Sequence, residues 1–202
     1  MTQSVYVIGA AGTGKSTFTG ELLSRLDVGL GPLEDLHAKP NARGNLVTLR
    51  GHRMSDGNSV VGLYLGVMRE EFPGSDGLDR ASSPTGEEWL FQNQEGFTGS
   101  GELPQMIVAE GATLATRRFL NALNLTTDLL VLALRCDPMI HDLRLLQRGA
   151  GQVSSFVQST VTKTDNLVRD LEKQSARVRW VDTDEPDDWE DALLSAQEHL
   201  AS

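Results

Sequence analysis

Val5-Tyr6-Val7-Ile8-Gly9-Ala10-Ala11-Gly12-Thr13-Gly14-Lys15-Ser16-Thr17 decides the fold of this chain. Four apolar residues lead into a glycine-rich turn that fits G-x-x-x-x-G-K-[ST] at every fixed position. Phe18, Leu22, Leu23 and Leu26 then recur at helical spacing. The order is strand, phosphate-binding loop, helix. Gly9, Gly12 and Gly14 let the backbone of the loop, with Ala11, Thr13 and Thr17, turn its N–H groups inward around a phosphate. The N-terminus of the helix adds partial positive charge at the same place. In such a motif Lys15 reaches the β- and γ-phosphates and the Ser16 hydroxyl sits on Mg²⁺. A dinucleotide fingerprint is excluded, because Gly12-Thr13-Gly14 runs into Lys15-Ser16-Thr17 without a third glycine. The loop implies a nucleoside triphosphate and leaves its use open.

A chain of 202 residues has room for one domain with a full core, and 39% hydrophobic with 23% charged residues are globular values. No apolar run reaches membrane-span length, and the strand starting almost at Met1 leaves no room for a removable leader. The lone Cys136 has neither a disulfide partner nor companions for a metal cage. A cytoplasmic, reducing location without membrane contact is expected. The net charge of -10 argues against a generally nucleic-acid-binding surface. Residues 182–198 hold eight carboxylates and no Lys or Arg, which reads as a solvated helix face. Lys39, Arg43, Arg50 and Arg53, with His37 and His52, form a basic stretch free of acids. It is either a phosphate-binding surface or ordinary surface charge.

Along the chain, residues 4–8 read as the first strand and 15–26 as the first helix. Residues 29–42, with scattered Gly, Pro and Asn, read as irregular. Residues 46–49 and 60–65 are β-rich around the turn sequence Ser55-Asp56-Gly57-Asn58, so a hairpin is expected beside the phosphate site. A loop at 72–77 and a short helix at 84–91 follow, then a glycine-rich loop at 94–104. Apolar strands at 105–109 and 129–134 are each followed by a helix, from about 113 to 123 and from Asp137-Pro138 to about 148. A polar stretch at 149–158, a helix near 161–174, a strand at 178–181 and a helix at 189–200 complete the alternation. The class is α/β with a mainly parallel sheet, in a single domain over 1–202. Within it, 43–104 reads as an acceptor-binding insertion and 144–160 as a lid.

Further chemistry needs a carboxylate for the Mg²⁺ shell at the end of a strand beside the loop. Glu110, with Gly111 behind it, reads as that group, a helix cap being the alternative. Asp137, just before Pro138, reads as a helix N-cap. Arg144 and Arg148 lie four apart on one helix face and suit neutralisation of a transferring phosphoryl group, or simply a solvated face. Arg117 and Arg118 read as surface, and Lys163 stays ambiguous. The loop Pro73-Gly74-Ser75-Asp76-Gly77 is the candidate acceptor site, where Asp76 would take a proton from a hydroxyl or would only close a turn. An acceptor phosphate would instead need arginines and no base. Asp35 is a weaker candidate base, and Trp89, Phe91 and Phe97 are either core or stacking residues.

The phosphate loop, the Glu110-Gly111 strand end and the strand and helix over 129–148 with its arginines resemble the P-loop kinases of the nucleoside and nucleotide kinase type. That resemblance implies a P-loop NTPase fold with a five-stranded parallel sheet and a lid after the fourth strand whose arginines are catalytic, here Arg144 and Arg148. Tyr64-Leu65-Gly66 through Phe72-Pro73-Gly74-Ser75-Asp76-Gly77-Leu78, and later Ser155-Phe156-Val157 to Asn166-Leu167, are similar to small bacteriophage kinases. Some of these phosphorylate 5-hydroxymethyluracil within DNA during base hypermodification. The Asp-Arg pair of thymidylate kinases is absent, no arginine for a monophosphate site can be placed, and a hairpin over 46–65 is unlike the helical insert of adenylate kinases. The resemblance thus implies ATP and Mg²⁺ as cofactors and a hydroxyl of a nucleoside, nucleotide or modified DNA base as acceptor. Arg43, Arg50 and Arg53 would contact a nucleic-acid acceptor. A monophosphate kinase and a regulatory P-loop NTPase are the rivals, and the oligomeric state, a homodimer included, is open.

Overall fold

In the computed structural model, which describes residues 1–57, 59–68, 74–79, 81–93, 104–147 and 154–202, strands and helices alternate along most of the chain. They are β1 (Gln3–Gly9), α1 (Lys15–Arg25), β2 (Gly29–Pro40), β3 (Leu46–Ser55), β4 (Val60–Leu65), α2 (Ser82–Gln92), β5 (Met106–Glu110), α3 (Arg117–Thr126), β6 (Asp128–Arg135), α4 (Pro138–Gln147), α5 (Ser154–Glu172), β7 (Arg177–Asp182) and α6 (Pro186–Ala201). The seven strands make one sheet in the order β2-β3-β4-β5-β1-β6-β7. β4, β5, β1, β6 and β7 are mutually parallel, and β3 and β2 continue the β4 side antiparallel.

β1 lies inside the parallel block because its apolar run supplies both faces. Tyr6 and Ile8 pack with Ile107, Val131, Phe119 and Leu171, under α2, α3 and α5. Val5 and Val7 pack with Val108, Leu132, Phe18 and Leu193, under α1 and α6. Val5, Tyr6 and Val7 are wholly buried, each worth about 1.5–3 kcal/mol of transfer free energy. The result is a three-layer sandwich of helices around a sheet. Parallel alignment puts the C-terminal ends of β1 and β5 at one edge, where open α/β sheets bind ligands. Register pairs Val7 with Glu110, which carries that carboxylate to the foot of the phosphate loop.

The expected five-stranded parallel block is present, and so is the hairpin, whose turn is tied by Ser59 N–H donating to Asp56 Oδ1 at 3.1 Å. β4, however, is both the second arm of that hairpin and the outer member of the parallel block. Residues 29–40, expected to be irregular, form the long edge strand β2. Its ladder shifts register between Leu30 and Leu33, around Gly31-Pro32, and again between Asp35 and His37. Pro and Gly are tolerated there because an edge strand needs partners on one side only, and bulges absorb the irregular residues. α3 starts at Arg117 rather than near 113, since Thr116 caps it by accepting from Phe119 N–H at 3.2 Å. α5 starts at Ser154 rather than near 161.

Candidate active site

The chain after β1 leaves the sheet at Gly9 and enters α1 at Lys15, with Gly14 as N-cap at φ 87°. Lys15 Nζ donates to the Ala10 carbonyl at 2.8 Å, folding the lysine back over its own loop. Thr13 Oγ1 donates to the same carbonyl at 2.9 Å. Ser16, one residue into the helix, donates through Oγ to Glu110 Oε2 at 3.1 Å. The Tyr64 phenol reaches Glu110 Oε1 at 3.5 Å. Glu110 is 1% exposed. Burial pushes its carboxyl up to about 7, against the opposing pull of the Lys15 charge and the Ser16 hydroxyl. Burial likewise pushes the Tyr6 and Tyr64 phenols up, so both stay neutral donors.

The loop after β4 closes on this carboxylate. Val67 and Gly74 exchange backbone hydrogen bonds at 3.0 and 3.1 Å, and residues 75–77 make one 3-10 turn. At Gly74 (φ 98°) a Cβ would lie 2.7 Å from Glu110 Cγ, so only glycine permits the approach. The Tyr6 hydroxyl donates to the Gly111 carbonyl at 3.1 Å and lies 3.4 Å from Ser75 Oγ, locking loop to strand end. Asp76 is thereby aimed outward, and its Oδ1 accepts the Ala112 N–H at 2.7 Å. A cleft of about 450 Å³ opens between Lys15, Asp76, Ala112 and Thr113 on one side and Thr160 and Lys163 of α5 on the other. The structure thus gathers Lys15, Ser16, Glu110 and Asp76, and it adds Lys163, which sequence left ambiguous. Only the packing of α5 across the sheet edge could have revealed that lysine.

Arg144 faces a second cavity of about 380 Å³, on the Gly12, Gly14 and Thr17 side of the loop, lined also by Thr183 and Trp189. Its guanidinium donates to Thr183 Oγ1 at 2.9 Å and Asp184 Oδ1 at 3.0 Å. The Trp189 ring stands edge-on to Phe18 at 5.0 Å and donates its N–H to Glu21 at 3.0 Å. Arg148 lies outside the described residues, as does Phe97. Asp137 caps α4, its Oδ1 accepting Met139 N–H at 2.8 Å. Arg117 and Arg118 pair with Asp170 and Glu87. The basic stretch is paired as well: Lys39 with Glu88, Arg50 with Asp35 at 2.9 Å, and Arg53 with Glu34 at 3.0 Å. Arg43 is exposed at the β2–β3 turn, its backbone N–H held by Asn41. Trp89 is core, 3% exposed, and Phe91 is 44% exposed.

Ser16 and Glu110 form an all-oxygen donor pair suited to a hard cation. No group of three or more His, Cys, Asp or Glu side chains placed to hold a metal ion occurs among the described residues. Mg²⁺ at nucleotide sites does not require one, because it takes one or two protein oxygens and completes its octahedron with phosphate and water.

A loop of this sequence at the head of a parallel sheet, with an oxygen pair at its foot and a cleft beside it, defines a P-loop phosphotransferase. The family described as P-loop Nucleotide Kinase3 matches residues 1–201, and the chain belongs to it. No curated protein matches the sequence. Among solved structures, a shikimate kinase from Bacteroides thetaiotaomicron aligns over 99% of both chains at 16% identity, with a TM-score of 0.40. A sugar kinase from Janibacter sp. HTCC2649 aligns over 100% of this chain and 95% of its own at 14% identity, with a TM-score of 0.41. No helix among the described residues is long and apolar enough to cross a membrane.

Proposed function

We propose that this kinase transfers the γ-phosphoryl group of ATP, in the presence of Mg²⁺, to a hydroxyl of a nucleoside or modified base. The observation that carries this reading is Asp76 standing in the same cleft as Lys15, with Oδ1 fixed by Ala112 N–H. With Oδ1 holding Ala112 N–H, Oδ2 is assigned to the acceptor. The acceptor oxygen attacks the γ-phosphorus, the bond to the β–γ bridging oxygen breaks, and ADP leaves. Asp76 takes the hydroxyl proton. Lys15 and the loop N–H groups hold the phosphates, and Lys163 neutralises charge from the far wall of the cleft. Mg²⁺, held by Ser16 and Glu110, would supply Lewis-acid polarisation of the phosphates. The cavity lined by Arg144 and Trp189 suits the flat base of the donor, which an aromatic side chain can stack against. Residues 43–104 then contribute the acceptor side through the Asp76 loop, and 144–160 the lid.

The ion pairs on β2 and β3 favour a free small acceptor over one carried in DNA, since the arginines there already face carboxylates. Lys163 keeps a nucleoside monophosphate kinase as the second reading, because an ammonium across from Lys15 also suits an acceptor phosphate. Incubation with γ-labelled ATP, Mg²⁺ and separate pools of nucleosides, monophosphates, ordinary DNA and DNA bearing 5-hydroxymethyl pyrimidines decides between them. Label on nucleosides or modified bases supports the proposal, and label on monophosphates alone replaces it with the second reading. No label on any pool overturns both.

A further inference from the structure

α4 meets the phosphate loop through one polar side chain that none of the roles above uses. His141 is 5% exposed, and its Nε2 hydrogen-bonds the Ala11 carbonyl. A carbonyl can only accept, so Nε2 carries the hydrogen. The ring also abuts the next residue: a Cβ at Gly12 would lie 3.1 Å from His141 Cδ2 and 3.3 Å from Leu145 Cδ2. Gly12 adopts φ 89°, so the loop bends where the imidazole presses on it. Arg144, one turn further along α4, is tied to Thr183 and Asp184. α4 is therefore tied to the loop through His141 and to the segment after β7 through Arg144.

In a trans peptide the carbonyl and the following N–H point in opposite directions. A donor that draws the Ala11 oxygen toward α4 therefore turns the Gly12 N–H away from α4. We propose that His141 is a positioning residue that holds the Ala11–Gly12 peptide with its N–H directed at the bound phosphates. The proposal rests on the triphosphate reading of the loop and extends it to a residue outside the motif. A peptide free to flip would present a carbonyl lone pair to an anion, which is repulsive where the N–H is attractive. The imidazole fixes this choice before the nucleotide arrives, so binding does not have to order it.

The test uses the full chain and inorganic tripolyphosphate, which probes the loop without a base or an acceptor. Affinity is measured by calorimetry, and the Gly12 amide resonance is followed by NMR. In the wild type, tripolyphosphate should shift that resonance strongly. H141F keeps a ring and loses the donor: affinity should fall about tenfold and the Gly12 shift should vanish, with the melting temperature little changed. H141Q, which restores an N–H of similar reach, should recover both. If H141F does not fold, H141A takes its place in the same comparison. Wild-type affinity with an intact Gly12 shift in the donor-free variant overturns the role of His141 alone. A wild-type chain that does not bind tripolyphosphate overturns the triphosphate reading, and this proposal with it.

Discussion

Glu110, the proposed Mg²⁺ ligand, is also a buried carboxyl, and its pH behaviour is open to measurement. Burial raises its folded pKa from 4.5 to about 7. Between those values the folded state binds a proton that the unfolded state has lost, so stability falls as pH rises from about 4.5 to about 7. Through this group the nucleotide-free protein should lose on the order of 2–3 kcal/mol across that window. Glu110→Gln, neutral at every pH, should flatten the profile and be the more stable protein at pH 8 while needing far more Mg²⁺ for turnover. Denaturant melts at pH 5 and pH 8 check it, and parallel profiles for the two proteins would refute the assignment. Mg²⁺ bound at the proposed site should reverse the sign, because a cation favours the ionised carboxylate. For Asp76 the expected signature is kinetic. Asp76→Asn should lower kcat about 10²-fold or more with ATP binding unchanged, and wild-type turnover would remove Asp76 as the base.

At the scale of elements, the site depends on the Gly74 loop lying flat against the end of β5. A methyl group at Gly74 has two costs: a backbone at φ 98°, ψ -164°, a region essentially reserved for glycine, of about 1–3 kcal/mol, and overpacking against Glu110 Cγ, 2.7 Å away, of about 1–3 kcal/mol. Gly74→Ala should therefore lower the melting temperature by several degrees and raise the Mg²⁺ requirement, since the carboxylate is what must move. A stable variant with normal metal response would show that the loop does not brace Glu110. The motifs that sequence made legible are those in which local residues dictate local geometry. The phosphate loop and β1 follow from glycine spacing and an apolar run, and Glu110 and Asp76 from strand end and turn. β2 was not legible, because Gly31-Pro32 and an exposed pattern look like a loop until β3 supplies a ladder to pair with. Lys163 stayed ambiguous and His141 went unread for a related reason. Each belongs to a helix whose own sequence gives no sign of the loop it faces, and only the order in which β6, β1 and β5 lie together brings α4 and α5 to that edge.

Over the whole molecule, charge that looks segregated along the chain is partly paired in space. The acidic segment over 182–198 gives Asp188 to Arg179 at 2.9 Å, Glu190 to Arg25 at 2.7 Å and Asp184 to Arg144 at 3.0 Å. The basic stretch is answered by Glu34, Asp35 and Glu88. The exposed members of this set add little stability, about 0–1 kcal/mol each, but they decide how the surface meets a polyanion. Four free cations on a duplex would give a salt slope near 3–4, at about 0.9 per phosphate contact. With three of them paired, the protein should bind ordinary DNA with a slope of about 1 or less. Glu34→Gln with Asp35→Asn should release Arg53 and Arg50 and steepen the slope toward 3, leaving phosphorylation of a free nucleoside unaffected. Fluorescence titrations of both proteins at several salt concentrations read the slopes directly. A wild-type slope already near 3 would mean that these arginines leave their carboxylates for phosphates, and the acceptor would then belong in DNA.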